Sequence, residues 1–407
     1  MNLSHIYKIV TCILIAAFVM TSLYVPKIEA SEIVLPKPGT MVSLSPAFTP
    51  AIVRGMTIDV KNPFAFTFLI DRGDNPIAQE QKKAAYEKLI KYFLAAMTIP
   101  EDKQWVNLSP YEKNRIIDND FGKTEMGRDL LAQDYMLKQI TASLFYPEGA
   151  IGKEFWKRVY KEAAEKFGTI TIPINTFNKV WITPDKASVY EKGRTVLIVE
   201  SKLKVQLEED YWAAQKNSMS SPNVFVGDLV HANGLDGRQK PSGMTSSIIR
   251  QIIIPALTKE VNEGKNFANL RQMYQGMILA TWYKQALKKS ILNQVYANKS
   301  KVQGLNLANP EKAQQEVYQQ YVKAFKQGVY NFIKEDQDPS TGQMIPRKYF
   351  SGGFVDTLGI NGVTNASFAM ASEMYGKTIM NRIDAAQTVV VSPRSDAAMN
   401  SIGKHGI

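Results

Sequence analysis

The apolar residues of this chain change their period twice, and that pattern restricts the fold more than any motif does. Tyr86, Leu89, Ile90, Phe93, Leu94 and Met97 recur at the i, i+3, i+4, i+7 spacing of an amphipathic helix. Met126, Leu130, Leu131, Leu137, Ile140 and Leu144 predict a second helix, and Phe155, Trp156, Val159, Tyr160, Ala163 and Phe167 a third. Between 169 and 207 the composition turns β-branched and aromatic, with strands expected at 176–182, 187–191 and 195–200. Lys192-Gly193 supplies a hairpin turn between the last two. Leu203, Val205 and Leu207 then alternate with Lys202, Lys204 and Gln206, the pattern of a strand buried on one face.

Beyond 245 the helical period returns. The 246–264 segment contains Pro255, which either kinks one helix or opens a second. Residues 266–296 form the longest periodic run, through Leu270, Met273, Met277, Ile278, Leu287 and Ile291. Asn309-Pro310 then places a capping side chain and a first-turn proline ahead of Tyr318, Tyr321, Val322, Phe325, Val329 and Phe332. Taken together, these periods predict an α+β, mainly helical protein with a small antiparallel sheet at about 169–207 and helices before and after it.

The flanks read differently. Residues 1–30 carry Lys8, an apolar run from Ile9 to Val25, Pro26 and a small Ala30, the three-part pattern of a secretory signal peptide. Cleavage is expected between Ala30 and Ser31, the alternative being retention of the run as an anchor. The sole cysteine, Cys12, leaves with the signal, so the mature chain has no thiol and no disulfide. Five prolines between 31 and 63 predict an extended arm leading to a strand at 64–70. A 64–215 α+β region then precedes a Ser-, Gly- and Asn-rich loop or linker at 216–245 and a basic helical region at 246–350. The last stretch, 351–407, is poor in charge and expected to be disordered, with a short helix at 369–382 as the exception.

Charge is uneven along the chain. Lys and Arg total 49 against 38 Asp and Glu. Residues 31–249 are nearly balanced, with 28 basic and 26 acidic, whereas 250–348 holds 15 basic and 7 acidic. Such a field favours an anionic envelope polymer or membrane surface. Nucleic acid is not expected, given the export signal and the lack of zinc-finger spacing or an RNA-binding aromatic motif. Lys284, Lys288 and Lys289 are candidate binding residues; the alternative is a solvated helix face, because they fall between apolar positions.

Chemistry is sparse. His231 is the only histidine in the body of the chain and sits in the 216–245 loop, away from any fixed surroundings. No GxSxG, HExxH, GxxxxGK[ST] or GxGxxG motif occurs, and no cofactor or metal site is expected. Asp336, Asp338 and Ser340 before Gly342 only faintly follow a calcium loop, since Arg347 stands at its twelfth position. Arg72-Gly73-Asp74 reads as the turn leaving the first strand. Glu200, Glu208 and Asp210 would share a strand face if the strand continued that far, which makes them candidate catalytic carboxylates. Trp212 beside them is a candidate binding aromatic, while Trp105, Trp156, Trp181 and Trp282 are expected in the core.

Five stretches carry a resemblance: WVNLSPYEK at 105–113, MGRDLLAQDY at 126–135, NTFNKVW at 175–181, NEGKNFANLRQ at 262–272 and IPRKYFSGG at 345–353. As a set they resemble an uncharacterised family of exported proteins from uncultured Omnitrophota-type bacteria, over about residues 35–353. The resemblance implies a bacterial envelope protein and brings no activity or site residue with it. The reading of the sequence is therefore a non-enzymatic binding or scaffolding module of the envelope or periplasm, acting through its basic helical region. The alternative is a carboxylate-dependent hydrolase of glycans or peptides.

Overall fold

The computed structural model describes residues 35–59, 65–74, 78–110, 112–168, 170, 179–218, 241–288, 316, 318–323, 335–337, 344–346, 353–355, 363–365 and 383–390. The expected signal segment, the Asn309-Pro310 helix start, the 369–382 helix, His231 and most of the 216–245 loop lie outside them.

Strands β1 (Ile52–Ile58) and β2 (Ala65–Asp71) are followed by helix α1 (Gln79–Thr98), the two-residue strand β3 (Trp105–Val106), and helices α2 (Glu125–Leu144) and α3 (Ala150–Phe167). The long hairpin β4 (Val180–Lys192) and β5 (Thr195–Leu207) runs directly into α4 (Glu208–Ser218). Helices α5 (Pro241–Glu263) and α6 (Ala268–Lys288) come next, and then the short strands β6 (Glu335–Gln337), β7 (Met344–Pro346), β8 (Phe354–Val355), β9 (Val363–Asn365) and β10 (Ile383–Val390). This is the mainly helical α+β fold that the two changes of period predict.

Local chemistry explains most boundaries. Thr124 caps α2 by accepting a hydrogen bond from the Gly127 N–H at 2.9 Å. Gly168 closes α3 in the left-handed conformation, φ 64°, where a side chain would be strained. Gly193 does the same at the hairpin tip. Pro255 neither breaks nor splits α5: the helix runs through it, with the proline ring on an exposed face.

The sheet is wider than the sequence period suggests. Its order is β10-β2-β1-β5-β4-β8-β3, with β9 also on β4. The expected arm at 31–63 contains β1, a central strand paired with both β2 and β5. Residues 180–182 of the strand expected at 176–182 and the strand expected at 187–191 belong to one 13-residue strand, as do those expected at 195–200 and 203–207, while 176–178 lie outside the described residues. Within 351–407, β8, β9 and β10 take sheet positions, β10 lying antiparallel to β2 from Ile383↔Asp71 to Val390↔Ala65.

The helical regions on either side of the 216–245 loop share one core. Phe66 of β2 packs edge-on against Phe93 of α1 at 5.4 Å and Tyr283 of α6 at 5.0 Å, and Phe68 meets Phe93 at 5.1 Å. All four rings are buried, each contributing about 2–3 kcal/mol by leaving water. Trp156, Trp181 and Trp282 are core residues as the sequence predicts, while Trp105 is half-buried. The proline arm is stitched across the helices. The Tyr135 hydroxyl donates to the Pro36 carbonyl at 2.9 Å, Ser143 Oγ accepts from the Val42 N–H at 2.9 Å, and Glu260 accepts from both the N–H and the hydroxyl of Ser45.

Candidate functional site

Strands β1 and β5 pair only at Gly55↔Leu197, Met56↔Val196 and Thr57↔Thr195. A bulge in β1 lies between Val53 and Gly55, and one in β5 lies opposite the Ser188/Val189 step. Bulges bend and twist their strands, so the two diverge just where the last pair ends. Gly55 permits that last close approach, because a Cβ there would stand 2.4 Å from the Val196 carbonyl oxygen.

The gap is a groove of about 400 Å³. Its floor is Tyr274 and Gln275 of α6, and its walls are Arg54, the Glu200–Leu203 segment, Asn262 and the arm residues Ala47–Pro50. Each wall is held. Gln275 Nε2 donates to Ser201 Oγ at 2.6 Å, and Tyr274 Oη donates to the Lys186 carbonyl at 3.1 Å. Arg54 pairs with Asp71 at 3.0 Å. Arg271 donates to the carbonyls of Val261 (3.0 Å), Gly264 (2.8 Å) and Phe48 (2.6 Å), tying the arm to the α5–α6 corner. Burial lowers the Arg271 pKa to about 10, against the upward pull of Glu260 and Glu263.

Glu200 stands on this groove, but Lys186 Nζ holds it at 2.6 Å and Lys202 Nζ lies 3.6 Å away. The hydrogen bond from Lys186 keeps its carboxyl below the usual range. Glu208 and Asp210 are elsewhere. The strand ends at Leu207 and a helix begins at Glu208, so the shared face expected for the three carboxylates does not form. Seven residue steps along the strand separate Glu200 from Leu207, about 23 Å at ~3.3 Å per step. A glycosidase pair works across about 5–10 Å. Glu208 lies 3.4 Å from Lys179 Nζ, and Asp210 is gripped by Arg250, whose Nε and Nη2 both stand 2.9 Å from its oxygens.

Trp212 is half-buried and packs edge-on against Tyr211 at 5.0 Å, with Tyr211 in turn 5.9 Å from Trp181. It belongs to an aromatic row and does not meet Glu200. Lys284 lies 3.7 Å from Glu101. Lys288 ends α6 and Lys289 falls outside the described residues, as do Asp338 and Ser340. Asp336 pairs with Ile345 in the β6–β7 hairpin. Gly73, at φ 72°, turns the chain after β2, and Asp74 there accepts from the Thr49 N–H at 2.6 Å.

A second ionic cluster lies inside the protein. Lys138 Nζ stands 2.8 Å from Asp134 Oδ2, which also accepts from the Leu108 N–H at 2.7 Å. Lys138 faces the Tyr321 ring at 5.6 Å. Nearby, Lys179 Nζ is 3.3 Å from Glu112 Oε1, and Asn107 donates to Glu112 Oε2 at 2.8 Å. Desolvation lowers the Lys138 pKa to about 8, although Asp134 pulls it up. The sequence did carry a signal for this pair: Asp134 and Lys138 are one turn apart among the apolar positions Leu130, Leu131, Leu137 and Ile140. The groove had no such signal.

Among the described residues no group of three His, Cys, Asp or Glu side chains is placed to hold a metal ion, and no helix is long and apolar enough to cross a membrane. Comparison with known protein families, curated proteins and solved structures finds no match to this chain.

Proposed function

We propose that this is a non-enzymatic binding or scaffolding protein of the bacterial envelope or periplasm, acting through the basic stretch at 250–348. The observation that carries the reading is the concentration of most of the charge excess, 15 basic against 7 acidic residues, in that stretch. Export is inferred from the 1–30 pattern, and the bacterial source from the resemblance.

The three candidate carboxylates favour binding over hydrolysis. General acid catalysis near neutral pH needs a carboxyl whose pKa is raised toward that pH. Glu200 is shifted the other way, and Glu208 and Asp210 stand apart from it beside Lys179 and Arg250. Some of the basic residues serve the fold: Arg250, Arg271 and Lys284 are engaged with Asp210, backbone carbonyls and Glu101 respectively. Lys259 and Lys323 are exposed and available to a partner, and Lys265, also exposed, lies over the Phe48 ring at 5.8 Å.

Co-sedimentation of residues 31–407 with vesicles containing an anionic lipid, and with an anionic polysaccharide, tests the reading. Binding is expected at low salt and should weaken as the Debye length falls from about 10 Å at 0.1 M to about 3 Å at 1 M. Binding to neither, or binding indifferent to salt, overturns it.

A further inference from the structure

Beyond that basic surface, we propose that the groove between β1 and β5 binds a short acidic peptide in extended conformation, added as a strand to the open edge of β5. The edge shows what it accepts. Leu203 turns its main chain away from β4, where its partner is Pro184, a residue with no N–H to offer. Both Leu203 groups are met by one side-chain amide: Asn262 Oδ1 accepts from the Leu203 N–H at 2.9 Å, and Asn262 Nδ2 donates to the Leu203 carbonyl at 2.8 Å. A carboxamide thus pairs with this edge as a neighbouring strand would.

Main-chain groups in an antiparallel strand alternate sides with a period of two residues. Ser201 therefore points its N–H and C=O the same way as Leu203, one step further along, and there the edge opens into the groove. The Ser201 hydroxyl, engaged by Gln275, leaves the main chain as the recognition element. Strand addition of this kind draws affinity from main-chain hydrogen bonds and specificity from the flanking side chains.

Those side chains favour an acidic ligand. Lys186 and Lys202 together put two positive charges on Glu200, leaving a surplus of one at the rim, and the other charged lining residues, Arg271 and Glu263, offset each other. Arg54 is balanced by Asp71. The volume, about 400 Å³, falls in the range of small-ligand pockets.

The test is calorimetric titration of the protein with an acetylated, amidated pentapeptide of alternating alanine and glutamate, alongside its lysine counterpart and a backbone N-methylated copy. One-to-one binding of the acidic peptide is expected, at least tenfold tighter than either control. The N-methylated copy keeps the charge and loses the strand-pairing N–H groups. Lys202 is 62% exposed, so Lys202→Glu leaves the fold intact and should reverse the preference between glutamate and lysine peptides. Equal binding of the N-methylated copy, no saturable binding at millimolar peptide, or an unchanged preference in Lys202→Glu overturns the proposal. So does concentration-dependent self-association that blocks the peptide, which would make the occupant a second copy of the chain.

Discussion

Lys138 and Asp134 form an ion pair, 2.8 Å from Nζ to Oδ2, with both side chains wholly removed from solvent. The pair sits one turn apart on α2, between the β3 loop that supplies the Leu108 N–H and the helical residues around Tyr321. Its energetics are asymmetric. Desolvating two charges costs about as much as their attraction returns, whereas removing one leaves the other stranded.

Lys138→Met should therefore destabilise the fold by about 3–5 kcal/mol, read from the midpoint of urea denaturation. The double variant Lys138→Met, Asp134→Leu should recover part of that loss by removing both charges. Recovery should stay incomplete, because the buried Leu108 N–H loses its acceptor at a cost of about 1–3 kcal/mol. A double variant less stable than Lys138→Met alone would show that the pair is not behaving as an isolated buried ion pair.

The same lysine predicts a dependence on pH. Its folded pKa is about 8, below the ordinary 10.5, through desolvation opposed by Asp134; Lys179 lowers it further and Glu112 raises it. Between those values the unfolded chain binds the extra proton, so stability rises with pH across the window. The penalty is present in full below pH 8 and relieved toward 10.5, up to about 3 kcal/mol in total. Tyr92 and Tyr135 have raised pKa values and work in the opposite direction above about pH 10. The measurement is accordingly the difference in denaturation free energy between the native chain and Lys138→Met from pH 7.5 to 10. The native chain should gain on the variant throughout.

The helices and the β4–β5 hairpin were legible because each buries one stripe or one face, so the period survives in the sequence. Strand β1 was not. Its bulge sends Val53 and Met56 both into the core, which breaks the alternation, and the flanking prolines mask what remains. The middle of strand β10 reads as small and polar, Asp384-Ala385-Ala386-Gln387-Thr388, and the strand pairs with residues more than three hundred positions away. The groove depends on two bulges in strands far apart in sequence, so it exists only at the tertiary level. Of the candidate carboxylates, Glu200 alone lines the groove, and the end of β5 at Leu207 was hidden by an acidic run that suits a helix start equally well.

Glu260 fastens the arm to the groove wall, accepting from the Ser45 N–H and hydroxyl and from Asn266 Nδ2 at 2.8 Å. Glu260→Ala removes a buried, charge-assisted acceptor shared by three donors, at an expected cost of about 2–4 kcal/mol. Because the bonds join the arm to α5, loosening should appear first at the arm. Limited proteolysis should cut the variant within 35–50 at protease concentrations that leave the native chain intact; equal resistance would place the anchor elsewhere, with Arg271 and its bond to the Phe48 carbonyl the next to test.

Gly55 sets the apex of the groove. Its backbone is not in the left-handed region, so alanine there is opposed only by contact: the new methyl would stand 2.4 Å from the Val196 carbonyl oxygen and 2.6 Å from Leu197 Cδ2. The leucine can swing aside, but the carbonyl belongs to the β5 backbone and cannot. Gly55→Ala should therefore force the last β1–β5 pair apart at a cost of about 1–3 kcal/mol, the usual range for overpacking. Hydrogen exchange locates the effect. Amides of Met56 and Val196 should lose protection, while those of the β4–β5 pairing from Val180 to Thr183 keep theirs, since that ladder does not depend on β1.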